Sequence, residues 1–225
     1  METLGLVLSS ARAALQRHGR RPIAIFILPG MKLYQVEKCP FAHRVRISLE
    51  EKKLKYEVVY FASQKRPPEL EAVAPGARSP TLFDDDGTAV WDSTIVCEYL
   101  DERYPETPLM PRDPAGRAHA RILVKQIEAK VAPFVHEIER ADFAAGDPKL
   151  IETLGRVRSA LEPFEVRLRA QPFLLGEAFS LPDVALFAPI VGMVRHLGER
   201  GDLLADLPAL VAFRDRVAAR PSTAY

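Results

Sequence analysis

The chain has 225 residues, 48% of them hydrophobic, and a formal net charge of +1 at pH 7. This length fits one or two domains with a sizeable core, and the nearly neutral charge gives no electrostatic reason to expect a nucleic acid or a membrane as partner. Two cysteines cannot build a disulfide framework, so a reducing compartment such as the cytoplasm is the expected location.

Residues 1–30 differ in composition from the rest of the chain. They hold four arginines and a single acidic residue, Glu2, as a transit peptide does. The apolar run IAIFIL within them is far shorter than the ~20 residues needed to span a bilayer. Three interpretations stay open: a dispensable extension before a functional start at Met31, a targeting segment, or a real addition to the structure.

From Met31 the pattern alternates between strands and helices. KLYQV and KYEVVY read as strands, and the stretch from His43 to Lys53 between them reads as a helix. A helical crossover between two strands favours parallel pairing. A short helix is predicted from Pro67 to Ala74.

The next segment predicts a β-hairpin and a helix. TLF and TAVW flank the turn DDDG, in which Asp-Gly supplies the positive φ that such turns need. A helix follows from Ser93 to Tyr104, with Asp92 or Ser93 as its N-cap. The order β-α-β-α-β-β-α over residues 31–106 predicts a thioredoxin-like α/β domain.

The remainder reads as helical. Prolines crowd the stretch YPETPLMPRDP, so residues 107–113 are predicted to be a stiff linker before an all-α domain over 114–225. Its first helix carries the repeat Ile127, Val131, Phe134 and Ile138, with a kink predicted at Pro133. A second helix is predicted from about Lys149 to Ala170, with a bend at Pro163. A third is predicted within FLLGEAFSLPDVALFAPIVGMV, where SLPD resembles a capping box. A fourth is predicted from Leu207 to Arg220.

Cys39 is the candidate reactive group. It directly precedes Pro40, which suits the first turn of a helix, and the unpaired amides of a helix N-terminus stabilise a thiolate. Arg44 and Arg46 add positive potential nearby. The position where a dithiol motif has its second cysteine is Ala42, so Cys39 would need an external small thiol such as glutathione. A purely structural thiol is the alternative.

The other candidate groups are predicted to have structural or surface roles. Cys97 lies among apolar residues within a helix and is expected to be a small core residue. His43 is expected at the surface, although it lies on the helix that begins near Cys39. The histidines show no ligand spacing and form no cluster with the cysteines, so no metal site is predicted.

Four segments together resemble the cytosolic glutathione transferase superfamily: CPFAHRVR, RSPTLFDDDG, WDSTIVCEYLDERYP and FLLGEAFSLPDVAL. The resemblance covers about Met31 to Pro221 and implies the glutathione transferase fold. CPFA and CEYLDE are most similar to the cysteine-type classes, omega above all. EYLDERYPETPLMP also resembles stringent starvation protein A, a relative that binds RNA polymerase and is generally not regarded as a glutathione enzyme.

The resemblance implies a role for several residues. Cys39 matches the cysteine that forms a mixed disulfide with glutathione. Ser79 and Pro80 match a dipeptide with a cis-proline, where the backbone of the first residue pairs with the cysteinyl part of glutathione. Asp92 and Ser93 match the acidic residue and serine that hold the γ-glutamyl end.

Two further positions complete the implied glutathione site. Phe41, within CPFA, is among the cofactor-binding positions. Arg66 matches a basic residue that contacts the glycyl end of glutathione, with Lys65 as the alternative.

The resemblance implies a glutathione-dependent thiol transferase, with glutathione as co-substrate and a homodimer as its assembly. The helical domain is expected to supply an apolar pocket for a second substrate, which would be a small apolar molecule or a disulfide. The alternative is a non-catalytic protein-binding module like stringent starvation protein A.

Overall fold

The computed structural model describes residues 30–76, 79–141 and 143–224. The predictions for the N-terminal extension lie outside these residues, except at Gly30. The first half contains the strands β1 to β4 and the helices α1 to α3, in the order β1 Met31–Gln35, α1 Pro40–Glu51, β2 Tyr56–Tyr60, α2 Pro68–Val73, β3 Thr81–Phe83, β4 Ala89–Trp91 and α3 Ser93–Arg103.

The strands form one small mixed sheet in the order β2-β1-β3-β4. β1 and β2 are parallel, as the helical crossover predicts, and Leu33 lies opposite Val58. β3 pairs antiparallel with β1 and with β4. The predicted thioredoxin-like arrangement and the hairpin around DDDG are therefore confirmed.

The second half is helical, as predicted. Its helices are α4 Pro114–Lys130, α5 Ala132–Arg140, α6 Pro148–Leu168, α7 Leu181–Leu197 and α8 Pro208–Ala218, and short 3₁₀ turns cover Gly198–Arg200 and Pro221–Thr223. The capping box at the start of α7 is present: Asp183 Oδ2 accepts hydrogen bonds from the backbone N–H and the hydroxyl of Ser180, both at 2.8 Å.

The predicted single helix with a kink at Pro133 is wrong. Two helices meet at Val131, which has φ −106° and ψ −47°. Pro133 has no N–H to donate, and its ring would clash with a carbonyl of the preceding turn in a continuous helix. It is tolerated in the first turn of α5 instead, where that N–H is not needed.

One apolar core runs through both halves. Side chains from the sheet and α1, among them Leu33 and Val45, join residues of the helical half such as Ile127 and Val184 in a single cluster. A smaller cluster, with Tyr34 and Phe83 at its centre, lies between the sheet and α2. Because the large core is shared, the domain boundaries at residues 31–106, 107–113 and 114–225 stay a prediction.

Helix α7 packs directly against the first turn of α1. A Cβ atom built on Gly192 would lie 2.4 Å from Pro40 Cγ, so only glycine permits this approach. Residues 181–200 also form a stretch long and apolar enough to cross a bilayer, but 72% of it is buried within the protein. A buried core helix can have the same length and apolar composition, so these two properties are weak evidence for a membrane span.

A buried ion pair fixes the segment between the two halves. Lys52 Nζ lies 3.0 Å from Asp101 Oδ1 and donates to the carbonyls of Tyr104 and Thr107 at 3.0 and 2.8 Å. The same Asp101 oxygen accepts from the backbone N–H of Leu109 at 2.6 Å. The proline-rich stretch is thus held by specific hydrogen bonds at the end of α1 and along α3.

The C-terminal segment covers the outer side of α1. The guanidinium of Arg220 donates two 2.8 Å hydrogen bonds to Glu51, and His43 Nε2 lies 3.2 Å from the carbonyl oxygen of Thr223. The prediction that His43 is a surface residue is wrong, since its exposed fraction is 3%. The residues that cover His43 come from the C-terminal segment, so the residue pattern of α1 alone could not predict that it is buried.

Candidate active site

Cys39 stands immediately before α1. It is the N-cap residue in extended conformation (φ −68°, ψ 117°), and Pro40 opens the first turn. The helix therefore begins three residues before the predicted start at His43. The half-buried thiol makes no capping hydrogen bond, and its Sγ lies 4.0 Å from the carbonyl oxygen of Ser79.

The Ser79–Pro80 peptide bond is cis, as the resemblance implies. Ser79 Oγ accepts a 3.0 Å hydrogen bond from the backbone N–H of Val36, which ties this turn to the end of β1. The thiol and the backbone of Ser79 are therefore held next to each other by two independent elements.

Two clefts open beside these residues and share the side chains of Phe41, Ser79 and His136. The first cleft has a volume of about 490 Å³, and its polar lining is formed by Arg44, Ser79, Asp92, Ser93, Glu128 and His136. The second cleft, of about 620 Å³, contains Cys39 and Arg66. The predicted site residues thus line one cleft or the other, except Pro80, which is buried.

Asp92 and Ser93 have different positions at the start of α3. Asp92 is the N-cap, and its Oδ1 accepts from the N–H groups of Thr94 and Ile95 at 3.0 and 3.4 Å. Its φ of 71° lies in the left-handed region, which is uncommon for a residue other than glycine. Ser93 is the first helical residue, buried at the edge of the first cleft.

Arg44 and Glu128 were not predicted as site residues, yet both line the first cleft. The side chain of Arg44 is 2% exposed, and its Nη1 lies 3.8 Å from Glu128 Oε1. Burial lowers the pKa of Arg44, and the neighbouring Glu128 carboxylate opposes that shift. The sequence offers no spacing signal for this pair, because α1 and α4 each pack against α7 and the two side chains meet only in the tertiary structure.

Arg66 is held at the second cleft by contacts with helix α2 and with the residue that follows it. Its Nε lies 3.0 Å from Glu71 Oε2, and its Nη2 donates to the carbonyl of Ala74 at 2.9 Å. It lines the same cleft as Cys39.

The second cleft combines apolar side chains with several charged and imidazole groups. Beside Cys39 and a few apolar side chains, it is lined by the charged or imidazole groups of Glu37, Lys38, Arg66, His136, Glu139, Arg140 and His196.

The carboxylates of Asp84, Asp85 and Asp86 lie within 4.8 Å of one another and form a possible cation site. Asp84 already accepts hydrogen bonds from the hydroxyls of Tyr99 and Tyr104 at 2.6 and 2.7 Å. None of the three acids lines the two clefts. Their arrangement is that of a β-turn closed by tyrosine contacts.

Cys97 is a core residue, as predicted, with an exposed fraction of 2%. Burial raises the pKa of its thiol to about 11, although the Ser48 hydroxyl donates to its Sγ at 3.3 Å. At neutral pH Cys97 is therefore a protonated thiol that reagents do not reach.

We expect iodoacetamide to alkylate Cys39 well before Cys97 in the folded protein at mildly acidic pH. Cys39 is half-buried at a cleft, whereas Cys97 is enclosed by the core. Peptide mass spectrometry after a time course measures both rates, and unfolding in urea serves as the control, since it should equalise them. Faster labelling of Cys97 in the folded protein would contradict the expectation.

Comparison with known proteins agrees with this architecture. The chain matches the family model of the glutathione S-transferase N-terminal domain over residues 38–103 and that of the glutathione S-transferase C-terminal domain over residues 125–221. A stringent starvation protein A homolog of Pasteurella multocida is 32% identical over 168 residues, which are 75% of this chain and 76% of the relative. Glutathione S-transferase omega-1 of Mus musculus is 31% identical over 153 residues, 68% of this chain and 62% of the relative. The crystal structure of glutathione transferase Omega 3C from Trametes versicolor superimposes with a TM-score of 0.74 at 27% identity, covering 95% of this chain and 92% of that one.

Proposed function

Because this chain belongs to the glutathione S-transferase superfamily, we propose that it is a glutathione-dependent thiol transferase that acts through Cys39. The observation that carries the proposal is the placement of a lone, half-buried thiol before α1, 4.0 Å from the Ser79 carbonyl beside a cis-proline. A second cysteine that could resolve an oxidised Cys39 is absent from its surroundings, since Cys97 is enclosed in the core.

Glutathione would lie across both clefts. The backbone of Ser79, presented by cis-Pro80, would pair with the cysteinyl part. Ser93 and Asp92 would hold the γ-glutamyl end, where the N-terminus of α3 favours a carboxylate. Arg66 would approach the glycyl carboxylate, and Phe41 would pack against the tripeptide between the two clefts.

The reaction is a pair of thiol–disulfide exchanges. The Cys39 thiolate attacks the glutathionyl sulfur of a mixed disulfide, so that a Cys39–glutathione disulfide forms, the original S–S bond breaks and the substrate leaves as a thiolate. A glutathione thiolate then attacks the glutathionyl sulfur on Cys39. This step releases glutathione disulfide and restores the Cys39 thiolate, so two glutathione units leave oxidised and the substrate leaves reduced.

Exposure to glutathione disulfide followed by intact-protein mass spectrometry tests the proposal. One glutathionyl group is expected on the wild type and on Cys97→Ser, and none on Cys39→Ser. Reduction of a glutathionylated peptide by free glutathione should also be lost in Cys39→Ser alone. An unmodified wild type, or modification that survives in Cys39→Ser, would contradict the proposal.

A second candidate function is a non-catalytic binding module of the stringent starvation protein A kind, which the similarity to the Pasteurella multocida protein favours. Retention on immobilised glutathione separates the two candidates. The thiol transferase should be retained and eluted by free glutathione, whereas the binding module should pass through the column.

We further propose that the protein is cytoplasmic. We also propose that it forms a homodimer, the assembly typical of the superfamily. Large apolar side chains are exposed on neighbouring elements: Trp91 on β4 at 45%, Ile95 on α3 at 55% and Ile122 on α4 at 53%. Burial of such side chains between two copies would stabilise a dimer.

A further inference from the structure

The chain reaches Cys39 through a turn with an unfavourable backbone conformation. The turn covers residues 36–39, and the N–H of Cys39 lies 3.4 Å from the carbonyl oxygen of Val36. This distance is longer than the usual range of about 2.7–3.2 Å, so the bond that closes the turn is weak. Lys38, the third residue of the turn, has a φ of 58°, in the left-handed region that is costly for any residue with a Cβ atom.

An arginine of the helical half holds this turn. Arg195, in the last turn of α7, donates a 2.7 Å hydrogen bond from its Nη2 to the carbonyl oxygen of Lys38. That oxygen belongs to the peptide group that joins Lys38 to Cys39. A hydrogen bond from a charged donor is about twice as strong as one between neutral groups. The guanidinium therefore stabilises the conformation that the turn's own bond holds only weakly.

The residues on both sides of Cys39 are fixed by separate contacts. The backbone N–H of Val36, at the start of the turn, donates to Ser79 Oγ at 3.0 Å. On the other side Gly192, one turn earlier on α7 than the arginine, packs against Pro40. Helix α7 thus contacts the chain directly before and directly after Cys39.

We propose that Arg195 is a positioning residue of the thiol–disulfide exchange, because its hydrogen bond holds Lys38 in the conformation from which Cys39 enters α1. The inference rests on the proposed function, since it assumes that Cys39 is the nucleophile. Arg195 lines neither cleft. A misplaced nucleophile reacts slowly even when its substrate is bound, so Arg195 affects the rate of exchange and not the binding of glutathione.

A double-mutant cycle separates an effect on the turn from an effect of charge. Arg195→Met removes the donor. Lys38→Gly removes the cost of the left-handed conformation, and Lys38→Ala is its matched control, because alanine loses the same ammonium group but keeps the Cβ atom. Arg112→Met, at an exposed position outside both clefts, is the control for loss of a surface arginine.

The measured quantity is the turnover number for reduction of a glutathionylated peptide at saturating peptide and glutathione. We expect Arg195→Met to lower it by roughly 5- to 30-fold in the wild-type and Lys38→Ala backgrounds, the factor that corresponds to the cost of one left-handed residue. In the Lys38→Gly background the loss should be no more than about twofold, since glycine adopts this conformation unaided. Arg112→Met should turn over like the wild type.

Binding of glutathione gives a second readout, which a general loss of structure would change. Calorimetric titration with reduced glutathione should give a dissociation constant for Arg195→Met within about twofold of the wild type, as expected when only the reacting geometry is altered. If Arg195→Met does not fold, Arg195→Lys takes its place, because lysine keeps the charge without the rigid fork of donors. The dependence of the loss on residue 38 then decides.

The outcomes separate the two proposals. An equal loss in the Lys38→Gly and Lys38→Ala backgrounds would show that Arg195 acts through its charge or through folding, and no loss in any background would show that it does not act on the reaction. Either result overturns this inference and leaves the proposed function standing. If the wild type does not reduce the glutathionylated peptide, both are wrong.

Discussion

Lys52→Met is expected to lower the free energy of unfolding by about 3–5 kcal/mol, the usual cost of breaking a buried ion pair from one side. Lys52 and Asp101 are 8% and 5% exposed, and the ammonium group also donates to the carbonyls of Tyr104 and Thr107. Methionine fills a similar volume but removes the donor of both carbonyl groups and the ammonium group beside a buried carboxylate, which keeps the N–H of Leu109.

Urea unfolding followed by circular dichroism would measure this loss. Lys55→Met is the matched control, because Lys55 is exposed a few residues further along and should change the free energy of unfolding by no more than about 0.5 kcal/mol. Equal stability of the two variants would show that the Lys52–Asp101 pair does not hold the proline-rich segment.

Acidification from pH 6.5 to about 4 is expected to destabilise the protein through His43. Burial lowers the pKa of His43 to about 4, below the 6.5 of the unfolded chain. Between these values the unfolded state binds more protons, so the free energy of unfolding falls as the pH falls. At about 1.4 kcal/mol per pKa unit, the loss attributable to His43 is about 3 kcal/mol.

His43→Gln isolates this contribution. Since the Thr223 carbonyl can only accept, His43 Nε2 must be the protonated nitrogen, and the glutamine amide can replace that donor without titrating. The stability advantage of the wild type over His43→Gln should be largest near pH 7 and smaller by about 3 kcal/mol at pH 4.

The comparison between variants is needed because other groups titrate in the same range. Burial raises the pKa of Asp183 to about 6, so acidification through this value stabilises the folded state and partly masks the effect of His43. His119→Gln, at an exposed position on α4, is the control and should follow the wild type at every pH. A pH-independent difference between the wild type and His43→Gln would contradict the assignment.

Short-range signals predicted the fold and the local structure around several residues of the candidate site. The strand pattern of KLYQV and the turn sequence DDDG are signals within a few adjacent residues. The helix start at Cys39 and Pro40 is a local signal too, because its chemistry depends on neighbours in sequence. The same holds for Asp92 at the cap of α3. In these cases the physical cause lies within a few residues of the feature it explains.

Features that depend on distant packing could not be predicted in this way. The sequence pattern predicts a surface position for His43, but the C-terminal segment covers this residue in the folded protein. Arg44 and Glu128 come from helices far apart in sequence and meet only because α1 and α4 both pack against α7. His136 and His196, from α5 and α7, are likewise brought to the second cleft only by the tertiary structure.

If Cys39 is the nucleophile that we propose, the contact between Gly192 and Pro40 makes the helical half a determinant of its position. A side chain at position 192 would come too close to the proline that follows Cys39, so either α7 or Pro40 must move, although Gly192 lines neither cleft. Random mutagenesis for altered reactivity should therefore include this glycine beside the residues of the clefts. Under the proposed function, loss of activity in a variant at position 192 would then indicate a displaced Cys39, because Gly192 itself cannot contact a ligand in either cleft.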